Sequence, residues 1–95
     1  MSNVDKQYQL QVIIASGENE FSKAILAFAF ALGAASGGTS VVLFFTMEGA
    51  CWTDSEKGNE PIVNGFESIN TYWDLLLEMG ADFEGCTSCF ENYCS

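Results

Sequence analysis

The sequence predicts an α/β domain built on a parallel sheet, and three observations carry that prediction. Two apolar, β-branched runs, YQLQVIIAS at 8–16 and TSVVLFFT at 39–46, flank one long alanine-rich helical segment. Strand, helix and strand in that order form a βαβ unit, with a right-handed crossover by default. A second helix followed by a glycine and a short strand segment then repeats the alternation over 66–85. With 95 residues the chain makes one domain, 1–95, large enough to bury a modest core.

Each element follows from its own residues. Positions 1–8 open on the polar MSNVDKQ and are expected to fray. The first strand ends at Ser16-Gly17, and its run from Val12 to Ala15 reads as buried on both faces. The helix is expected from Asn19 to Ser36. Asn19 or Ser16 is available as its cap, Glu18 and Glu20 suit the positive dipole of its first turn, and Gly37-Gly38 stop it. One apolar stripe is Phe21, Ile25, Phe28, Leu32 and Ala35; a second, through Leu26, Phe30 and Ala34, exceeds what one sheet face needs and points to a subunit contact. The second strand, 39–46, is unbroken in its apolar character, as a central parallel strand should be. Residues 47–65 read as a long polar loop at that strand's carboxyl end, the edge of an open α/β sheet where sites form. Within it, DSEKGNE (54–60) reads as a solvated stretch. A second helix is expected over 66–80, with Ser68 as N-cap, an apolar stripe of Tyr72, Leu75, Leu76 and Met79, and Gly80 at its C-cap. ADFEG (81–85) is a short third strand that delivers Cys86 at its carboxyl end, and 90–95 is a cysteine-bearing tail.

Composition removes several function classes. Three Lys/Arg against 13 Asp/Glu give a net charge of −10, a field that repels nucleic-acid phosphates and anionic lipid surfaces but steers in a partner with a basic face. The chain has no histidine, so the usual general base and the commonest metal ligand are missing. The stretch from Ala24 to Phe45 carries no charge and matches the ~20 residues a membrane span needs. GAASGG (33–38) interrupts it and no basic cluster flanks it, so it reads as a buried helix and strand. GAASGG also ends a helix and lacks the phosphate-loop lysine, so no phosphate loop is present. The start has no secretory-signal pattern, which points to a cytoplasmic protein with structural disulfides rare.

Chemistry therefore falls to cysteine. In parallel topology Cys51, after the second strand, and Cys86, after the third, lie along one sheet edge. A thiol at a strand's carboxyl end, followed by a turn or helix start, meets backbone N–H groups of the kind that favour thiolate, opposed here by Asp82, Glu84 and Glu91. Cys86 and Cys89 form a C-x2-C pair in which Cys89 suits a resolving role, and Cys94 follows near the end. Glu48, Gly49 and Trp52 accompany Cys51 as pocket candidates. Cys51, Cys86, Cys89 and Cys94 together also make a possible four-thiolate zinc set, although a second C-x2-C is missing.

At this point the chain resembles the DsrE/DsrF/DsrH superfamily of sulfur-relay proteins. VIIASGENEFSKAILAFAFALGAASGGTSVVLFFTMEGACW (12–52) is similar to that family's first strand, long helix and second strand with its turn glycine, here Gly49. LLLEMGADFEGCTSC (75–89) is similar to its helix-glycine-strand-cysteine segment. Cys86 falls on the family cysteine, and Thr87 and Ser88 on the small residues after it. The resemblance implies a flavodoxin-like parallel sheet with flanking helices and a trimeric or hexameric homo-oligomer. It also implies that Cys86 carries sulfane sulfur as a persulfide, exchanged with a donor or acceptor protein and needing no cofactor. The chain ends nine residues after Cys86 where the family usually continues, so the sheet is expected to be shortened at its C-terminus. Three functions stand at this stage: a persulfide carrier or sulfurtransferase at Cys86 with Cys89 or Cys94 resolving, a structural subunit whose cysteines hold zinc, and a thiol redox sensor.

Overall fold

The computed structural model describes residues 9–53, 57–58 and 63–93. In chain order these form β1 (Leu10–Ile14), α1 (Phe21–Ser36), β2 (Val41–Phe45), a 3-10 segment (Met47–Thr53), α2 (Ile69–Glu78), β3 (Asp82–Gly85) and α3 (Thr87–Tyr93). The strands are parallel in the order β1-β2-β3, with Val12 opposite Leu43 and Leu43 opposite Phe83. The α/β class and the parallel sheet are those the sequence predicts, consistent with a flavodoxin-like arrangement.

The strand order never reverses, and this decides where the helices go. Two right-handed crossovers taken in the same direction deposit both connecting helices on the same face. α1 and α2 accordingly pack together over Val12, Ile14, Val41, Leu43 and Phe45. On the other face Ile13 is 58% exposed, which corrects the expectation that Val12 to Ala15 is buried on both sides. Val42 on that face is buried and Phe44 half-buried.

Three local expectations change in instructive ways. The first helix starts later than Asn19, because Glu18–Glu20 close a 3-10 turn through the Glu20 N–H to the Gly17 carbonyl at 3.0 Å. Neither Asn19 nor Ser16 caps α1, which begins at Phe21 without a side-chain cap. Its buried face is Ala24, Ile25, Phe28 and Ala31, while Leu26 and Phe30 stand 59% and 61% exposed. In α2 the Ser68 cap is as expected, accepting from the Thr71 N–H at 3.2 Å. Its packed stripe is Ile69, Tyr72, Trp73 and Leu76, the i, i+3, i+4, i+7 series, with Met79 exposed at the C-cap. Gly80, at φ 84, reverses the chain and lets the Ala81 N–H reach the Leu76 carbonyl. Finally, α3 runs to Tyr93, so residues 90–93 are helical where a tail is expected.

An aromatic cluster ties α1 and α2 to the sheet. Trp73 stacks on Phe83 at 4.2 Å between centroids and on Phe45 at 5.2 Å, and Phe28 lies 5.9 Å from Phe45. Offset contacts of this kind add roughly 0.5–1.5 kcal/mol each beyond the area buried.

The first part of the expected polar loop is packed. Met47–Thr53 folds as the 3-10 segment and buries Gly49, Ala50, Cys51 and Trp52. Gly49 explains why it can lie so close to β1. A Cβ at that position would overlap the Ile14 carbonyl oxygen, so only glycine fits. The Trp52 indole N–H then donates to the Ser16 carbonyl at 2.6 Å, fixing the segment against the end of β1.

Candidate functional site

The site forms where β2 and β3 end side by side. The register pairs Phe45 with Gly85, so the next residues, Thr46 and Cys86, emerge from neighbouring strands at one edge. The Cys86 N–H donates to the Phe45 carbonyl at 3.0 Å, extending the ladder past the strand. Cys86 then stands at the start of α3, where its Sγ accepts the Cys89 N–H at 3.4 Å. A side-chain acceptor three residues ahead of the N–H it receives is the geometry of a helix cap, here made by sulfur.

That cap brings Cys89 round by one turn towards β2. Its Sγ lies 3.4 Å from Thr46 Oγ1. Met47, in the left-handed region at φ 55, turns the chain into the 3-10 segment, and its backbone N–H also reaches the Cys89 sulfur. The Thr46 hydroxyl first, then the Cys86 thiol, then the Met47 N–H hold the Cys89 thiol below its ordinary pKa; partial burial pulls weakly the other way. Cys89 is therefore an acidified thiol. Sequence reasoning places the thiolate-favouring N–H groups at Cys86 and assigns Cys89 only a resolving role.

Cys86 lines a cleft of about 250 Å³ together with Phe45, Ala50, Thr53, Gly85 and Thr87. The walls are mainly aromatic ring, methyl and backbone. Lys23 and Lys57 pair with Glu20 and Glu18 at 3.0 and 3.5 Å, and among the described residues no cation lines the cleft.

The other sequence candidates divide clearly. Thr87 joins Cys86 in the cleft wall, whereas Ser88 is exposed and its carbonyl accepts from Asn92 Nδ2 at 2.9 Å. Trp52 is 1% exposed; it belongs to the core and borders a different cavity, with Asn70, Trp73, Asp74 and Leu77. Glu48 is exposed, and Gly49 serves the close approach to β1. Cys51 lies buried in the 3-10 segment and is disulfide-bonded. Cys94 lies outside the described residues. Among the described residues no group of three His, Cys, Asp or Glu comes together as a metal site.

Thr46 is the contact of Cys89 that sequence reasoning missed. A signal for it existed: it follows β2 just as Cys86 follows β3, and parallel register sets such residues beside each other. Thr46→Val is expected to raise the Cys89 pKa by removing the largest cause of its depression. The pH midpoint of Cys89 alkylation, followed by mass mapping of its peptide, should move to higher pH, and Thr46→Ser should restore it. An unchanged midpoint would show that Thr46 does not tune Cys89.

A model described as the DsrE/DsrF-like family fits residues 10–94, nearly the whole chain. No curated protein matches it.

Proposed function

The chain belongs to the DsrE/DsrF-like family, which ties it to sulfur metabolism, and on that premise we propose that it is a sulfane-sulfur carrier loaded at Cys86. The observation that supports the reading best is the position of Cys86. It is the thiol on the wall of the strand-end cleft, half-buried and therefore reachable, and its sulfur is free of any disulfide. In the loading step the Cys86 sulfur attacks the outer sulfur of a donor persulfide. A new S–S bond forms to Cys86, the donor's own S–S bond breaks, and the donor leaves as a thiolate. The reverse step onto a partner thiol hands the sulfur on.

Two features support protein partners. The net charge of −10 favours a partner with a basic face, so transfer should slow as salt screens the encounter. Leu26 and Phe30 expose a large apolar side of α1, and a groove of about 240 Å³ beside it is lined by Leu26, Val63 and Phe66. Such a surface suits a homo-oligomer, trimeric or hexameric. Among the described residues no helix is long and apolar enough to cross a membrane.

The test is intact mass after brief exposure to glutathione persulfide, followed by fragmentation to locate the addition. One added sulfur on Cys86 is expected. No addition, or addition confined to Cys89, would sink the assignment.

A further inference from the structure

We propose that the Cys86–Cys89 pair gives the loaded sulfur a second outlet: Cys89 displaces it from Cys86 as hydrosulfide and leaves a Cys86–Cys89 disulfide. The proposal rests on Cys86 being the sulfur acceptor, and it changes what the protein delivers. With a partner thiol docked the product is a persulfide; without one it is sulfide.

The geometry carries the step. The Cys86 Sγ is held within hydrogen-bonding reach of both the Cys89 N–H, at 3.4 Å, and the Cys89 thiol. The two sulfurs are therefore already neighbours across one helical turn, the arrangement in which a C-x2-C pair closes. The two thiols also have different surroundings. Cys86 borders the cleft, where an incoming or leaving sulfur has room; Cys89 is turned towards Thr46 and Met47 and does not line that cleft. Attack from Cys89 and departure into the cleft thus use separate sides of Cys86. The hydrogen bonds from Thr46 and Met47 lower the Cys89 pKa and so favour the thiolate that the attack requires.

The reaction balances within the pair. The Cys89 thiolate attacks the Cys86 sulfur and an S–S bond forms between them. The bond from Cys86 to the sulfane sulfur breaks, and its electron pair leaves with that sulfur as HS⁻. Cys89 is oxidised and the sulfane sulfur is reduced. A cellular dithiol reductant is then needed to reopen the disulfide before another sulfur is taken up.

The experiment follows one turnover on the full chain without added reductant. Protein loaded with glutathione persulfide is desalted at once, and free sulfide and non-reduced intact mass are read over time. Wild type should release sulfide as the added sulfur disappears, and should end with two hydrogens fewer and a peptide linking Cys86 to Cys89. Cys89→Ser and, as a second variant, Cys89→Ala should keep the sulfur and release sulfide at least about tenfold more slowly. Thr46→Val should slow release in between, with Thr46→Ser restoring it, which marks Thr46 as a positioning residue. Wild type that loads and holds its sulfur would overturn the second outlet while leaving the carrier reading intact. Equal sulfide release from both Cys89 variants would overturn it as well. Wild type that never loads would overturn the carrier reading, and the outlet with it.

Discussion

Cys86→Ser is expected to abolish sulfur uptake, by on the order of 100-fold or more, while leaving the fold as stable as before. The two halves of that outcome have separate causes. A serine hydroxyl at neutral pH is a poor nucleophile without an adjacent base, and the chain has no histidine to supply one. Oxygen in place of sulfur also removes the S–S bond that holds the cargo. Yet serine is among the best helix-capping residues, and its oxygen can take over the Cys89 N–H that the Cys86 sulfur now accepts. The urea midpoint should therefore stay put or rise slightly. Added sulfur is read by intact mass alongside that midpoint. Uptake persisting in this variant would transfer the acceptor role to Cys89, whose thiol is held below its ordinary pKa. Loss of both uptake and stability would mean that the cap is something serine cannot reproduce.

The elements legible in the sequence were those with a strong local pattern. The βαβ order, the apolar second strand, the Ser68 cap and the position of Cys86 at a strand's end all follow from short-range signals. What was not legible depends on contacts between distant segments. Ile13 reads as buried because the apolar run around it is continuous; it is exposed because the strand order β1-β2-β3 sends both crossover helices to the other face. Met47–Thr53 reads as a polar loop because Glu48 and Thr53 punctuate it, yet its Gly49 and Ala50 are small enough to slide under the end of β1. Residues 90–93 read as part of a tail because they lie near the end of the sequence with no clear apolar stripe, and α3 is anchored by contact with the 3-10 segment.

The site divides in the same way. Cys86 was found from topology because a strand's end is a local feature. The special state of Cys89 was not, since it depends on a hydroxyl 43 residues earlier in the chain and on a backbone N–H beside it. Residue type, spacing and strand order separated Cys86 from the other thiols; the register of β2 against β3 added the Thr46 contact that sets Cys89 apart.

Trp52→Ala is expected to cost about 3–5 kcal/mol, the range for removing a fully buried aromatic side chain. For a domain of this size that is a large share of a total stability of roughly 5–15 kcal/mol. Trp52 is 1% exposed and is the largest of the fully buried side chains, so its removal leaves a cavity between the 3-10 segment and the core. It also strips the Ser16 carbonyl of its indole donor at 2.6 Å. Trp52→Phe separates the two contributions: most of the ring volume stays, and the lost hydrogen bond alone should cost about 1–3 kcal/mol. Both are read from urea midpoints. The same variants bear on the site, because the 3-10 segment supplies Ala50 and Thr53 to the cleft and its Met47 N–H to Cys89. Trp52→Phe, still folded, should therefore slow sulfur uptake at Cys86 modestly, whereas Cys89→Ser should leave uptake intact and change only release. If Trp52→Phe loses stability with no change in uptake, the 3-10 segment is a structural brace alone, and the cleft keeps its shape from the two strand ends.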